Sequence, residues 1–215
     1  MILRFSNGSI GKFAKELEPL EHAITDILVS ELSTGSSIHV IEASQLSLPA
    51  RSTDGISGGT ARAVQVARDL GAARAVFGGY AGDASGDLRI TARVVDVRTA
   101  TVLFTVTVTG KQEAILASLA SVGAKVRCRV EMKRAAADCP SQVAQVAARA
   151  DSAVKSPFKP TMAAALSYGR TLSTLDQGDT SAAFGDLRQL LAKYPDWQVP
   201  RDLLKKLTPL PPPRD

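Results

Sequence analysis

Leu88-Arg89-Ile90-Thr91-Ala92-Arg93-Val94-Val95-Asp96-Val97, then Arg98-Thr99-Ala100, then Val102-Leu103-Phe104-Thr105-Val106-Thr107-Val108, is the stretch that decides the fold. In the first segment Leu88, Ile90, Ala92 and Val94 alternate with Arg89, Thr91 and Arg93. In the second, Val102, Phe104, Val106 and Val108 alternate with Thr105 and Thr107. Successive side chains of a strand point to opposite faces, so this period of two predicts two strands with one apolar and one wet face each. The short Arg98–Ala100 connection joins them as an antiparallel hairpin.

Working upstream, Ala75–Tyr80 (AVFGGY) reads as a strand, with Gly78, Gly79 and Gly82 as bulge and turn residues leading into the hairpin. Before it, Thr60 can cap a helix over Ala61–Leu70 that stops at Gly71. Gln45–Gly59, rich in Ser, Gly and Pro, reads as a surface loop, and Ile38–Glu42 (IHVIE) as a strand. Leu17, Leu20, Ile24, Ile27, Leu28 and Leu32 fall at helical spacing and predict an amphipathic helix over Leu17–Leu32, with Gly35 as its stop. Ile2–Phe5 is a short apolar strand ahead of the turn Ser6–Lys12.

Downstream, a helix runs from about Lys111 to near Ala136, and Asp138-Cys139-Pro140 interrupts it. Ser141–Val154 is Ala-rich and helical, and Ser156–Pro160 is a hinge. A helical hairpin follows, Thr161–Leu175 and Thr180–Lys193 joined by Asp176–Asp179, then a short helix near Arg201–Leu207 and a proline-rich tail from Thr208 to Asp215. The order predicts an α/β (α+β) fold: a mixed sheet of about five strands with packed helices, plus the C-terminal hairpin. One helical hairpin buries too little area to stand alone, so it must dock on its own αβ domain or on a partner chain. Trp197, the sole Trp, lies just after the hairpin and is its natural plug.

The formal charge is +5 and the pI about 9.4, a balance that suits an acidic protein surface, acidic lipid or nucleic acid. The densest basic cluster is Lys125, Arg127, Arg129, Lys133 and Arg134, and no aromatic residue interleaves with it to stack bases, so no nucleic-acid binding is expected. No run of ~20 apolar residues spans a bilayer. Met1-Ile2-Leu3-Arg4-Phe5 reads as the second half of a strand, which predicts a reading frame extending upstream into an export signal. If Met1 is the true start, the protein is cytoplasmic.

Catalytic chemistry finds no footing. Gly8-Ser9-Ile10-Gly11-Lys12 has two residues between its glycines where a phosphate loop needs four, and Phe13 where that loop needs Ser or Thr. Asp83, Gly86 and Asp87 resemble a loose calcium loop without its closing Glu. His22 and His39 have no Ser or Cys nucleophile at a recognisable elbow. Cys128 and Cys139 match no zinc spacing; they can form a disulfide in an oxidising compartment or stay as two thiols. No catalytic, cofactor or metal residue is therefore expected.

Four segments carry a family resemblance: ILRFSNGSIG, LEPLEHAITDILVSELSTGSSIHVIEASQL, ARAVQVARDLGAARAVFGGYAGDASGDLRITARVVDVRTATVLFTVTVTG and EAILASLASVGAKV. On these the chain resembles the curli production assembly/transport component (CsgG-like) family and is similar to the TolB amino-terminal domain. GDTSAAFGDLRQLLAKYP, with Gly178, Ala183 and Pro195, resembles part of one tetratricopeptide repeat, although Thr171 stands where a small Gly is usual. The resemblance implies an αβ domain over 1–126, a helical connector over 127–156, a tetratricopeptide-like appendage over 157–207 and the tail 208–215. The tight Arg98–Ala100 turn leaves no room for long barrel-forming insertions, so the implied domain is extracytoplasmic and not a pore. No amino-terminal Cys is present to carry that family's lipid anchor.

Together these readings point to a non-enzymatic scaffold or adaptor of the bacterial cell envelope that helps assemble or stabilise a larger complex. The alternatives are an extrinsic, periplasmic-side subunit of a membrane protein complex, and an unrecognised ligand-binding protein or hydrolase. The expected partners are other proteins, with contact through an acidic surface. Phe184, Trp197, Leu210, Pro211, Pro212 and Pro213 are the candidate contact residues.

Overall fold

A computed structural model describes residues 1–33, 38–41, 59–131 and 160–208. The alternating stretch forms the centre of a four-stranded sheet, β1 (Ser6–Asn7), β2 (Arg74–Gly82), β3 (Asp87–Asp96) and β4 (Thr101–Lys111), in that order. β1 pairs parallel to β2, and β2–β3–β4 form an antiparallel meander, so the sheet is mixed. The β3–β4 turn bends through Ala100 at φ 56, and the Asp96 carboxylate accepts the Thr99 N–H (2.9 Å) to hold it.

Among the described residues the sheet has four strands where the sequence predicts about five, and the first and second expected strands account for the difference. Over Ile2–Phe5 only Ile2 bridges β2, at Val76; regular pairing starts at Ser6. The Phe5 N–H is taken by Thr25 Oγ1 (3.1 Å), which itself donates to Glu21 O, so Phe5 leaves the ladder. Of Ile38–Glu42, residues 38–41 form no strand, and Ile41 O accepts from Ile2 N at 3.4 Å; Glu42 lies outside the described residues. A two-residue outer strand is too short a template for a further ladder. The glycine pair also differs from expectation. Gly78 and Gly79 lie mid-strand in regular register opposite Ala92 and Thr91, and the irregularity of the sheet sits at Val94/Val95. A Cβ on Gly78 would meet Thr91 O at 1.9 Å and the Phe5 ring at 2.9 Å, so Gly is there for close approach.

The expected Leu17–Leu32 helix starts later, as α2 (Leu20–Ser33), and a separate short helix, α1 (Lys12–Glu16), precedes it with Pro19 between the two. The buried Tyr80 hydroxyl donates to the Leu17 carbonyl at the break (2.6 Å). α3 (Gly59–Asp69) matches the second expected helix, Ala61–Leu70, starting slightly before Thr60, and Gly71 beyond it has φ 68. The helix expected from Lys111 begins later. Lys111 pairs with Asp87 on β3, Gln112–Ala114 make one 3₁₀ turn, and α4 runs Ile115–Glu131, continuous through Val126. Residues 132–159 and 209–215, and with them Cys139, Leu210, Pro211, Pro212 and Pro213, lie outside the described residues.

The C-terminal helices are α5 (Met162–Asp176), α6 (Thr180–Lys193) and α7 (Gln198–Leu207). Gly178 at φ 91 makes the turn, and Asp179 caps α6 by accepting from Ala182 N (2.9 Å). Of the two docking options, this hairpin uses its own αβ domain. α2 lies between α4 on one side and α5 on the other. One cluster joins Leu20, Ile24, Ile27 and Leu28 to Ile90 and Val94 of the sheet and to Tyr168, Leu187 and Trp197 of the hairpin. The contact is made by small residues of α5 more than by its leucines. Ala164, Ala165 and Gly169 are buried, and a Cβ on Gly169 would lie 1.9 Å from Pro19 O. Polar bonds frame the joint: Tyr168 OH to Asp26 Oδ2 (2.6 Å), and Arg4 Nη2 (2.8 Å) and His22 Nδ1 (3.4 Å) to Asp176 Oδ2.

Candidate functional site

β3 treats its two sides differently. Leu88, Ile90, Ala92 and Val94 are 0% exposed beneath α2 and α4, whereas Arg89 and Arg93 are exposed on the reverse face with Thr91 half-buried between them. The reverse face is itself divided. At one end α3 covers it, placing Ala63, Val64 and Ala67 over Ala75, Phe77 and Val95 with Leu3 beside them. At the other end, among the described residues, no helix lies over it.

The open end contains a concavity of about 250 Å³. Its origin is sequence-local. Gly79 stands opposite Thr91 and Ala81 opposite Arg89, so β2 presents almost no side chain there and the floor is backbone. Gly8, bonded through its N–H to Tyr80 O (2.7 Å), closes one side, and Arg89, Thr91 and Arg93 rise on the other. Beyond them β4 adds Thr105, Thr107 and Thr109, paired with Arg93, Thr91 and Arg89. The Thr91 and Thr107 hydroxyls are 3.3 Å apart.

The electrostatics of this face are one-signed. No acidic residue lines the concavity, and neither arginine has an ion pair among the described residues. The nearest loop is already neutralised internally. Lys111 Nζ lies 2.8 Å from Asp87 Oδ1 and, with Ser85, holds that carboxyl below its usual range. The Ser85 side chain and nearby backbone N–H groups do the same for Asp83. This is the loop with calcium-like spacing, and its carboxylates are committed to Ser85 and Lys111.

β4 is the last strand in the order, so its outer side has no strand partner among the described residues. Val102 (46%) and Leu103 (47%) are exposed there. Arg129 reaches over from α4, donating to Thr105 O (3.3 Å) with its guanidinium 5.0 Å from the Phe104 ring centre. A charge held against an edge strand discourages indiscriminate strand addition. Arg127, from the same basic cluster, donates to Glu31 O and does not face solvent as part of a patch. Lys133 and Arg134 lie outside the described residues.

Of the residues expected to bind partners, the two that are described, Phe184 and Trp197, fall elsewhere. Trp197 is 7% exposed, with its ring 5.4 Å from Tyr168 and 6.3 Å from Tyr194, and so plugs the hairpin from within. Phe184 is half-buried on α6. A smaller concavity of about 190 Å³ lies between α5 and α6, where Asp186 and Lys193 offset each other. Cys128 is buried on α4, and there is no free cysteine among the described residues. The groove on the reverse face was not marked as a site by the sequence pattern. Its signal was present in the Arg-x-Thr-x-Arg row opposite a Gly-Gly pair, but only register shows that the two meet.

No family model matches the chain, and no curated protein matches it. Among solved structures it is similar to the LpoB C-terminal domain from Escherichia coli, at 17% identity and a TM-score of 0.36, over 52% of this chain and 81% of that one. It is also similar to the LpoB C-terminal domain from Salmonella enterica, at 15% identity and a TM-score of 0.28, over 52% and 80%. The CsgG-like, TolB-like and tetratricopeptide-like readings therefore rest on the quoted segments alone. No helix among the described residues is long and apolar enough to cross a membrane.

Proposed function

We propose that the chain is a non-enzymatic adaptor of the bacterial cell envelope that helps assemble or stabilise a larger protein complex, and that it meets its partner through the open end of the sheet. The observation that carries this reading is the two-sidedness of β3. One side is wholly spent on the core, while the other shows an Arg-Thr-Arg row beside a backbone-floored groove. The placement in the envelope is supported by the resemblance of the quoted segments to the CsgG-like family. In this reading the αβ domain of 1–126 presents the groove, the helices within 157–207 brace α2 from behind, and the tail of 208–215 supplies a further contact through Leu210 and Pro211–Pro213. A Cys128–Cys139 bond, suited to an extracytoplasmic compartment, ties the connector of 127–156 to α4.

The test is photocrosslinking in the native host from probes placed at Thr107, on the open face, and at Gln189, on the hairpin. Discrete protein adducts from Thr107 and few from Gln189 are the expected outcome. Adducts only from Gln189 would move the contact to the helical hairpin, and none from either would remove the adaptor reading.

A further inference from the structure

We infer that the groove binds an acidic, extended segment of the partner protein, with Arg89 and Arg93 as the residues that read its carboxylates. This rests on the adaptor reading and names the partner's chemistry. The two guanidinium groups stand on one face of one strand, four residues apart, so their Cα atoms are separated by ~13 Å. An extended chain laid along the groove repeats its own side chains with the same rise. Carboxylates at positions i and i+4 of such a chain meet both arginines, and a small polar side chain at i+2 meets Thr91 and Thr107. The glycine floor admits the approaching main chain, because neither Gly79 nor Gly8 carries a side chain into the space.

Charge complementarity selects this occupant over the others that a basic protein attracts. Three cations elsewhere in the described structure already have carboxylates: Arg4 with Asp176, Lys111 with Asp87, Lys205 with Asp202. Among the described residues, Arg89 and Arg93 do not, and no acidic residue lines their groove. A bilayer surface is recognised by clusters of roughly four to eight Lys or Arg, and here two flank a concavity. Single-stranded nucleic acid needs exposed aromatic platforms. The one aromatic residue at the groove, Tyr80, contributes backbone only, since its ring is buried on the opposite face.

The experiment uses the full chain and fluorescence anisotropy with a labelled peptide, Thr-Glu-Thr-Ser-Thr-Glu-Thr-Ser, whose glutamates are at i and i+4. A peptide with Lys at both glutamate positions, a single-stranded oligothymidine, and phosphatidylglycerol vesicles in co-sedimentation are the comparisons. The glutamate peptide should bind at least ~10-fold more tightly than the lysine peptide, weaken with added salt, and lose ~10-fold or more in an Arg89→Ala/Arg93→Ala variant. Shifting the second Glu by one position should also weaken it, because that side chain then points away from the groove. Failure of the glutamate peptide to bind, equal binding by the double variant, or tighter binding of oligothymidine or vesicles overturns the inference. The adaptor reading is judged separately by the Thr107 crosslinks. If protein adducts persist in the double variant, the adaptor stands and the acidic segment falls.

Discussion

The two faces of β3 are made by one backbone and differ in everything else. Leu88, Ile90, Ala92 and Val94 lie at 0% exposure under α2 and α4, and α2 is covered in turn by the helical hairpin. Arg89 and Thr91, their chain neighbours, stand opposite Ala81 and Gly79, and Arg93 stands opposite Phe77. Such a difference separates stability from recognition along a single strand, so each can be broken without the other. Ile90→Ala should destabilise the protein by about 2–5 kcal/mol, through lost burial and an uncollapsed cavity. Thr107→Ala, on the opposite face of the paired strand, should stay within about 0.5 kcal/mol. Urea denaturation of both variants measures this directly. A Thr107→Ala cost comparable to Ile90→Ala would mean that the open face is covered, and the contrast would fail.

A second contrast lies between two helical glycines of the hairpin. Gly169 on α5 faces Pro19 so closely that a Cβ would sit 1.9 Å from the Pro19 carbonyl oxygen and 2.6 Å from its carbon. These are backbone atoms and cannot swing aside. Gly185 on α6 has nothing within 4 Å of the same added atom. Gly169→Ala should therefore cost about 1–3 kcal/mol by overpacking, as α5 is pushed off α2. Gly185→Ala should stabilise by roughly 0.5–1 kcal/mol, since Ala has the better helix propensity and a smaller unfolded-state entropy. Opposite signs of the change in thermal midpoint are the readout. Equal signs would show that the hairpin does not dock on Pro19.

The polar frame of that joint sets the next smaller effect. Tyr168 is fully buried and its hydroxyl donates to Asp26 (2.6 Å). Hydrogen bonds to a charged acceptor contribute about 1.5–3 kcal/mol. Tyr168→Phe keeps the ring against Trp197 and removes only the donor, so a loss near about 1.5 kcal/mol is expected in the same denaturation assay. No measurable loss would mean that Asp26 finds water or another donor at once.

Much of the packed face was legible in the sequence, and the reason is periodicity. The alternation over Leu88–Val97 and Val102–Val108, and the helical spacing of Leu20, Ile24, Ile27, Leu28 and Leu32, each report burial on one face, and all of these positions except Phe104, Val108 and exposed Val102 are buried. That the described residues 38–41 form no strand was not legible. Ile38–Glu42 has strand composition, but pairing needs a neighbour of adequate length, and β1 offers two residues. The docking of the hairpin was legible as a need, whereas its agent was not. Close helix contact is made by Ala164, Ala165 and Gly169, whose smallness carries no periodic signal. The groove depends on cross-strand register, which brings Gly79 to Thr91 and Ala81 to Arg89, and register is a tertiary fact.

The smallest expected effect tests the far end of α2, where the packed face meets a charge. Glu31 is half-buried against α4, at the point where Gly123 permits close approach: a Cβ there would be 2.9 Å from Glu31 Cβ. Burial raises the Glu31 carboxyl above its ordinary 4.5, and Arg127, which donates to the Glu31 carbonyl, opposes that rise only in part. Below pH 4.5 the group is protonated whether the chain is folded or not, and it imposes no penalty. As pH rises, the unfolded chain gives up this proton first, so the folded state holds the greater number of protons. Stability from this residue therefore falls as pH climbs from 4.5 through the raised folded value, and then stays at the lower level. Glu31→Gln removes the slope. The variant should match the wild type near pH 4 and exceed it at pH 7 by less than about 1 kcal/mol, because partial exposure and Arg127 both blunt the penalty. Urea midpoints at the two pH values give the comparison. A variant that is weaker than the wild type at pH 7 would show that attraction to Arg127 outweighs burial, and that this end of the packed face tolerates charge as the open face does.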